Sequence, residues 1–237
     1  MFEIRDLHAF YGKSHVVQGI TLHVNPGEAV ALTGRNGVGK TTTLRSIMGL
    51  LVRTDGSIRL DGHDLTRMKT PTRAQLGIGY VPEERAIFTR MSVEENIVIG
   101  ALVQGNRDKA RCLDVAYDLF PVLKERRRQM GGTLSGGQQK MLALARGVAL
   151  HPTLLLVDEP SEGLMPINVD LVAGALAKAA AQGMMVLVVD ASFDLLKVAC
   201  SRLYIMDRGQ IMSEHQPNDF SGPDQLAAAY LGVAAGA

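Results

Sequence analysis

The glycine-rich run from Gly34 to Thr41 constrains the fold of this chain more than any other part of its sequence. It follows the pattern G-x-x-x-x-G-K-[ST] between a short apolar strand, 28–33, and a helix predicted to begin near Lys40. Glycines let a backbone wrap a phosphate group with its N–H groups inward, and a helix N-terminus adds partial positive charge. The run therefore predicts a phosphate-binding loop rather than an ordinary turn.

Two side chains of this loop have specific predicted roles. Lys40 is expected to reach the β- and γ-phosphates of a bound nucleotide, and the Thr41 hydroxyl is expected to ligate Mg²⁺. The residues predicted to bind the nucleotide through this loop are Gly34, Arg35, Asn36, Gly37, Val38, Gly39, Lys40, Thr41 and Thr42.

A second motif, 154–159, is an apolar strand that delivers two acids at its C-terminal end. Asp158 is predicted to hold Mg²⁺, directly or through water, and Glu159 to polarise the attacking water, with Lys40 as the other catalytic residue. Two acids can also simply cap a strand. Downstream of a phosphate-binding loop, however, they indicate hydrolysis of a nucleoside triphosphate.

The order of predicted elements indicates an α/β fold. Antiparallel strands and hairpins are predicted over 2–30, buried strands at 153–157 and 184–189, and a helical insert over about 84–149. Lys plus Arg is 25 and Asp plus Glu is 24, a balance that gives no support for a nucleic-acid partner. The basic run 124–128 is interpreted as a solvated helix end rather than a phosphate-binding patch.

The cysteines, the N-terminal residues and the apolar runs bear on where the protein is expected to act. Cys112 and Cys200 lack metal-ligand spacing and are interpreted as reduced thiols of a cytosolic protein. The N-terminus does not have the pattern of a signal peptide, and the apolar run 184–189 is far shorter than the ~20 residues that span a bilayer. If the protein acts at a membrane, we expect it to reach the membrane by binding another protein.

A third motif, 134–138, reads Leu-Ser-Gly-Gly-Gln and opens a predicted helix. It resembles the signature motif of ABC ATPases, and a serine with two glycines at a helix N-terminus is typical of an anion site. In that family the site faces the γ-phosphate bound to the opposite subunit, so the resemblance implies a dimer. The residues that carry this implied role are Ser135, Gly136, Gly137 and Gln138.

The resemblance extends over essentially the whole chain. It implies that Tyr11 stacks on adenine, although a core or turn tyrosine is the alternative, and that the segment 79–96 couples two lobes. The implied fold class is an α/β P-loop NTPase of the ABC ATPase type, with a mixed-sheet core, an antiparallel β subdomain and a helical subdomain. We expect one domain over 1–237, with the core in about 1–83 and 150–237 and the helical subdomain in about 84–149.

Three stretches are similar to ATPases of the high-affinity branched-chain amino-acid transport group: 81–83, 158–166 and 230–232. The similarity implies ATP and Mg²⁺ as ligands, a second ABC ATPase subunit, two transmembrane permease subunits and, indirectly, a periplasmic or extracellular solute-binding protein. It implies a heterodimer more than a homodimer, located peripherally on the cytoplasmic face of the inner membrane. The expected cargo is a branched-chain amino acid or a similar small polar solute, and import is the expected direction.

Three positions depart from the general family pattern. Glu83 replaces the usual Gln of the coupling loop; its carboxylate can still bind Mg²⁺ or water, so it joins Thr41 and Asp158 as a predicted metal ligand. Met165 stands where many members have an Asp, with little expected effect. Ala191 stands where most members have a His that contacts the γ-phosphate.

Ala191 leaves two interpretations open. In one, which we favour, this site hydrolyses slowly and a partner ATPase supplies the complete residues. In the other, Asp190 or Ser192 takes over through a small register shift. The alternatives at the level of function are a non-transport ABC ATPase that acts on ribosomes or DNA and a subunit that binds ATP with a weakened hydrolytic site.

Overall fold

The computed structural model describes residues 1–51, 53–84, 87–103 and 108–231. The strands within these ranges are β1 (Phe2–Tyr11), β2 (Ser14–Val24), β3 (Ala29–Thr33), β4 (Arg53–Leu60), β5 (His63–Asp64), β6 (Ile78–Val81), β7 (Leu154–Asp158), β8 (Met185–Val189), β9 (Arg202–Asp207) and β10 (Gln210–His215). The α-helices are α1 (Lys40–Met48), α2 (Thr70–Gln75), α3 (Val93–Val103), α4 (Lys109–Leu119), α5 (Pro121–Glu125), α6 (Gly136–Ala149), α7 (Pro166–Ala181), α8 (Phe193–Ala199) and α9 (Pro223–Ala229).

A six-stranded sheet forms the centre of the molecule, in the order β10-β9-β3-β8-β7-β6. Its neighbouring strands run parallel except for the antiparallel hairpin of β9 and β10. Every residue of β3, β7 and β8 is buried, which explains why these strands read as continuous apolar runs. Alternate side chains of β7 pack into two different hydrophobic cores, one on each face of the sheet. Leu154 and Leu156 belong to one core, and Leu155 and Val157 belong to the other.

A four-stranded antiparallel sheet, in the order β2-β1-β4-β5, covers one of these cores together with α1. β1 pairs with both β2 and β4, and its alternation of buried and partly exposed residues shows one inward and one outward face. The other core lies under α3 to α8, and Phe120 and Leu123 are fully enclosed there. The predicted mixed-sheet core with antiparallel β and helical parts is confirmed.

Within the predicted helical insert, residues 92–130 contain α3, α4 and α5. Asp108 starts α4 because its carboxylate accepts from the backbone N–H groups of Ala110 and Arg111. Pro121 starts α5 at a position that needs no N–H donor. The basic run 124–128 lies exposed at the end of α5, as expected of a solvated helix end. The proposed boundaries of the helical subdomain stay a prediction, and 85–86 and 104–107 within it lie outside the described residues.

Both cysteines are buried. Among the residues that the structure describes, no helix has the length and apolar character needed to cross a membrane. The parallel strands β3, β7 and β8 all end at the same edge of the central sheet. That edge therefore receives the glycine-rich loop after β3, the acids at the end of β7 and Asp190 after β8.

Candidate nucleotide-binding and hydrolysis site

The loop between β3 and α1 has the backbone that its glycines require. Gly34, Gly37 and Gly39 have φ values of 147°, 81° and 112°, a region that other residues rarely adopt. A Cβ atom on Gly34 would lie 2.2 Å from the carbonyl oxygen of Met206, so the loop packs directly on β9. The glycines here permit both the curvature of the loop and its close approach to the sheet.

Lys40, the first residue of α1, is buried inside this loop. Its ammonium group donates to the carbonyl oxygens of Gly34 at 2.9 Å and Arg35 at 3.1 Å, and lies 3.8 Å from Glu159 Oε1. Burial lowers the pKa of Lys40, while Glu159, Asp158 and Asp190 act in the opposite direction. A phosphate group entering the loop could replace these carbonyls as partners of the ammonium group.

Thr41 and Asp158 come together although 117 residues separate them. Thr41 Oγ1 donates to Asp158 Oδ1 at 3.0 Å, and Tyr80 Oη donates to Asp158 Oδ2 at 3.1 Å. Burial raises the pKa of Asp158 against both hydrogen bonds. Hydroxyl and carboxylate oxygens are the hard ligands that Mg²⁺ prefers, so these two residues fit the predicted metal role. Tyr80 was not predicted as a site residue, because it is 78 positions away from Asp158 in the sequence and only the fold brings the two together.

Three carboxylates converge beside this pair. Oxygen atoms of Glu83, Glu159 and Glu162 lie within 4.8 Å of one another. Burial raises the pKa of Glu83, and a hydrogen bond with Glu162 and the charge of Glu159 act in the same direction. Burial also raises the pKa of Glu159, opposed by Lys40 and reinforced by Glu162. Sequence analysis missed Glu162, although it lies one turn after Glu159.

The backbone of Glu159 is held in an unusual conformation. Its φ is +43°, a region that a non-glycine residue occupies only when its surroundings fix it. The Glu159 N–H donates to the Val189 carbonyl at 2.8 Å, and Lys140 Nζ donates to the Glu159 carbonyl at 3.0 Å. These contacts, from β8 and from α6, hold the backbone that carries the Glu159 side chain.

A cavity of about 300 Å³ contains the loop residues and the acids together. It is lined by Val16, Asn36, Gly37, Gly39, Lys40, Thr41, Thr42, Glu83, Glu159 and Glu162. The structure thus brings most of the predicted loop residues to the predicted base Glu159. Val16, on β2, was not predicted.

Tyr11 stands apart from this cavity. Its ring is 45% exposed at the end of β1, and its hydroxyl accepts from Arg45 Nη1 at 3.5 Å. Arg45 belongs to α1, so Tyr11 lies near the helix that begins with the loop. The exposed ring is open to a stacking partner, and its role with adenine stays a prediction.

The signature residues form the N-terminus of α6. Ser135 caps the helix: the Gln138 N–H donates to Ser135 Oγ at 3.3 Å, and the Ser135 N–H donates to Gln138 Oε1 at 3.2 Å. Ser135 and Gly136 are exposed, and a Cβ on Gly136 would meet only open space. None of the four signature residues lies among the described residues that line the cavity of the glycine-rich loop.

A second cavity of about 530 Å³ separates α6 from the end of β7. Gly136, Gln139 and Lys140 line it on the side of α6, and Glu83 and Glu159 on the other side. The signature helix and the acids thus face each other across one space, with the Lys140–Glu159 hydrogen bond between them.

The segment 190–192 after β8 is already occupied by local hydrogen bonds. The Asp190 carboxylate is buried and accepts from Ser161 N, Ser161 Oγ and Ser192 N at 2.9, 2.6 and 2.8 Å. Ser192 caps α8. Ala191 itself is exposed. These contacts favour the interpretation in which no neighbour replaces the missing side chain of Ala191.

The proposed coupling segment 79–96 is described except for 85–86, which lie outside the described residues. Asn96 is fully buried and organises the part that follows. Its Oδ1 accepts from the Phe88 N–H at 2.8 Å, and its Nδ2 donates to the carbonyls of Phe88, Met91 and Ser92. The segment is therefore anchored to α3. In the stretch 230–232, Gly232 lies outside the described residues, and Tyr230 Oη is 2.5 Å from Thr33 Oγ1.

Comparisons with known proteins agree with this geometry. Residues 17–162 match the family model described as ABC transporter. The chain is 34% identical to the high-affinity branched-chain amino acid transport ATP-binding protein BraG of Pseudomonas aeruginosa, over 98% of this chain and all of that protein. It is 32% identical to the lipopolysaccharide export system ATP-binding protein LptB of Escherichia coli K12, over 96% of this chain and 95% of that protein.

Solved structures show the same fold. A structure described as the ATP-binding subunit of an ABC transporter superposes with a TM-score of 0.84 at 24% identity, covering 98% of this chain and 99% of that chain. A dimeric structure of a bacterial ABC transporter cassette superposes with a TM-score of 0.83 at 21% identity, covering 93% and 100%. At these identities the likeness supports the arrangement of strands and helices.

Proposed function

The chain belongs to the ABC transporter family of ATP-binding subunits, which hydrolyse ATP to power transport, and from this premise we propose how its residues divide the work. The observation that carries the proposal is the meeting of Lys40, Thr41, Asp158 and Glu159 at one edge of the central sheet. A loop for phosphates, two hard ligands and one carboxylate base are what phosphoryl transfer to water requires.

Each residue has a distinct part in this proposal. Lys40 and the N–H groups of the loop bind the phosphates. Thr41 and Asp158 would hold Mg²⁺, with Glu83 as a further candidate ligand, and the ion would supply positive charge to the phosphate oxygens. Glu159 orients the attacking water and accepts its proton, and its raised pKa makes it a better base than an exposed glutamate.

The second half of the site comes from another subunit in this proposal. The signature helix N-terminus is exposed and lies outside the cavity of its own loop. An exposed helix N-terminus with a serine and two glycines is suited to a phosphate from outside the chain. ATP is then bound between the loop of one subunit and the signature of the next, and contacts made only in the dimer favour closure until hydrolysis removes them.

For the cargo, we propose import of a branched-chain amino acid or a similar small polar solute. The relative of this kind is 34% identical over its full length. The assembly would contain a second ATPase, two transmembrane permease subunits and a solute-binding protein, with this chain peripheral at the cytoplasmic face of the inner membrane. The 32% identity to a lipopolysaccharide export protein makes export of a lipid-linked saccharide the second candidate.

ATP turnover by the purified chain, beside its Glu159→Gln variant, tests the site. Turnover that disappears in the variant while nucleotide binding persists supports the assigned roles. Binding without turnover in the unmodified chain indicates a site weakened at Ala191 that needs a partner ATPase. Equal turnover by both proteins would contradict the role of Glu159.

The cargo is tested with the permeases in liposomes. Stimulation of ATP turnover by leucine, isoleucine or valine with the solute-binding protein supports import of these amino acids. Stimulation by amides or urea moves the assignment to another small polar solute. Stimulation only by lipopolysaccharide would overturn the import proposal and favour the export candidate.

A further inference from the structure

Three side chains on the outer face of the antiparallel sheet form a connected row away from the nucleotide cavity. His8 Nδ1 lies 2.9 Å from His15 Nε2, and His8 Nε2 lies 3.1 Å from Asp6 Oδ1. His8 belongs to β1 and His15 to β2, on either side of the turn that joins these strands. His15 is exposed and His8 partly exposed, so water and ions can reach both rings.

We propose that His8 and His15 bind a divalent transition-metal ion of the zinc class, with Asp6 as the carboxylate that orients His8. Imidazole nitrogen is a preferred ligand of Zn²⁺. A metal-ligating histidine commonly donates its other N–H to a carboxylate, which fixes the tautomer and makes the ligating nitrogen more basic. Asp6 has this relation to His8, which leaves the lone pair of His8 Nδ1 directed toward His15.

The two facing nitrogens lie at hydrogen-bond distance, which is shorter than their separation in a zinc site, so they must move apart to bind an ion. Two ligands at about 2.1 Å from a tetrahedral ion are about 3.4 Å apart, against 2.9 Å here. The rings point their nitrogens at each other, with centroids 5.1 Å apart, so one ring must turn to aim both lone pairs at the ion. His15 can turn because it is exposed, at the expense of its stacking on Phe10. Water would complete the coordination.

The backbone leaves room for this arrangement. A Cβ on residue 19 would lie 2.9 Å from Asp6 Oδ1 and 3.4 Å from His8 Cε1, so Gly19 keeps the space in which these two side chains meet. Asp6 has a φ of +49°, and its N–H donates to Thr21 Oγ1 at 3.0 Å. The left-handed backbone at Asp6 thus has a hydrogen-bond partner on β2.

The surrounding charges also admit a cation. The strand register places Asp55 of β4 opposite His8. Arg53 is nearby, but it lies over the ring of Phe10 at 4.1 Å and 4.0 Å from the Asp55 carboxylate. Asp55 thus lies on the strand beside His8, and the Arg53 guanidinium is engaged by Phe10 and by the Asp55 carboxylate. A bound ion would join β1 to β2 beside the turn that follows Tyr11.

The test is a Zn²⁺ titration of the full chain without an affinity tag, in excess Mg²⁺ so that the carboxylates of the nucleotide cavity are occupied. We expect a site of one equivalent. His8→Ala and His15→Ala should each weaken its affinity by at least roughly tenfold, and Asp6→Asn by roughly tenfold. Asn tolerates positive φ, so Asp6→Asn changes the charge without straining the backbone. His63→Ala, an exposed histidine on β5, is the matched control and should bind normally.

Thermal melts of the metal-free variants check that each one folds, and His15→Gln, which retains a hydrogen-bonding side chain, replaces His15→Ala if that variant does not. The proposal is overturned if the protein lacking both His8 and His15 still binds one equivalent with the affinity of the unmodified chain. If the histidine variants lose Zn²⁺ binding while Asp6→Asn binds Zn²⁺ normally, the orienting role of Asp6 is overturned. This outcome is independent of ATP turnover.

Discussion

At the scale of single residues, the site contains carboxyl groups that differ in burial and in hydrogen-bond partners. Asp158 is buried and accepts hydrogen bonds from Thr41 and Tyr80, whereas Glu159 borders the cavity among Lys40 and other acids. Desolvation raises the pKa of both groups. In the proposed mechanism the two neighbouring acids at the end of β7 thus have different tasks, Asp158 as a metal ligand and Glu159 as a base.

The acid limb of the pH profile should report Glu159. A base must be ionised to accept a proton. Because the pKa of Glu159 is raised in the folded protein, turnover should begin to fall, as the pH decreases, at a pH above the ordinary glutamate pKa of 4.5. Because Glu162 contributes to that rise, Glu162→Gln should move the acid limb to lower pH. The measurement is kcat/KM against pH for both proteins, in the assembly that turns over ATP. An unmoved limb would contradict the coupling between the two acids.

A polar side chain at position 191 should accelerate hydrolysis. Ala191 is exposed, so Ala191→Gln or Ala191→His is accommodated without repacking and can hydrogen-bond a phosphate group. We expect turnover to increase by roughly tenfold or more, since one well-placed hydrogen bond to a charged group contributes about 1.5–3 kcal/mol. Ala191→Met is the apolar control of similar size. Equal rates in all four proteins would contradict the idea of a weakened site.

At the scale of elements, short segments are held by side-chain hydrogen bonds at the starts of helices rather than by long helices. Asn96, in the first turn of α3, satisfies backbone groups of the preceding loop, and Ser135 and Gln138 satisfy each other at the start of α6. Capping interactions of this kind fix where a helix begins and how the chain enters it. The coupling segment and the signature motif are therefore positioned by their own helix starts.

Replacing the buried amide of Asn96 should loosen the coupling segment. In Asn96→Ala, the N–H of Phe88 and three carbonyls lose their partner, and unfolding free energy should fall by about 1–3 kcal/mol. Urea denaturation measures this change. Gln182→Ala, which removes an exposed amide at the end of α7, serves as the control and should change stability by less than ~0.5 kcal/mol. A negligible effect in Asn96→Ala would show that water replaces the amide.

At the scale of the whole molecule, the described signature residues of one chain do not line the cavity of its own glycine-rich loop. The glycine-rich loop and acids line one cavity, and the exposed signature residues lie outside it. This arrangement is the reason that the proposed mechanism needs a second subunit.

Trapping ATP should therefore produce a dimer. If hydrolysis opens the closed state, Glu159→Gln with ATP and Mg²⁺ should elute at twice the mass of the nucleotide-free chain in light-scattering chromatography. Lys40→Ala should weaken phosphate binding, so adding it to the Glu159→Gln protein should restore the monomer. A persistent monomer, with ATP bound, would instead support a chain that pairs only with a different ATPase.

The sequence alone predicted much of the molecule. Glycine spacing, the apolar strand before two acids and the helix-opening signature motif are local patterns, and local chemistry identifies them. The fold, the family and the glycine-rich loop followed from these runs. The ends of the buried strands β3, β7 and β8 differ from their predicted positions by one residue, because hydrogen-bond ladders rather than apolar runs define them.

Tertiary structure decided what meets across long stretches of chain. The contacts of Thr41 and Tyr80 with Asp158, of Lys140 with Glu159 and of His8 with His15 depend on strand order and register. The raised pKa of Glu159 depends on burial, which the neighbouring residues in the sequence do not determine. Residue identity thus determined which chemistry the chain can perform, whereas packing determined which groups lie close enough, and dry enough, to perform it, because distance and desolvation are properties of the folded chain.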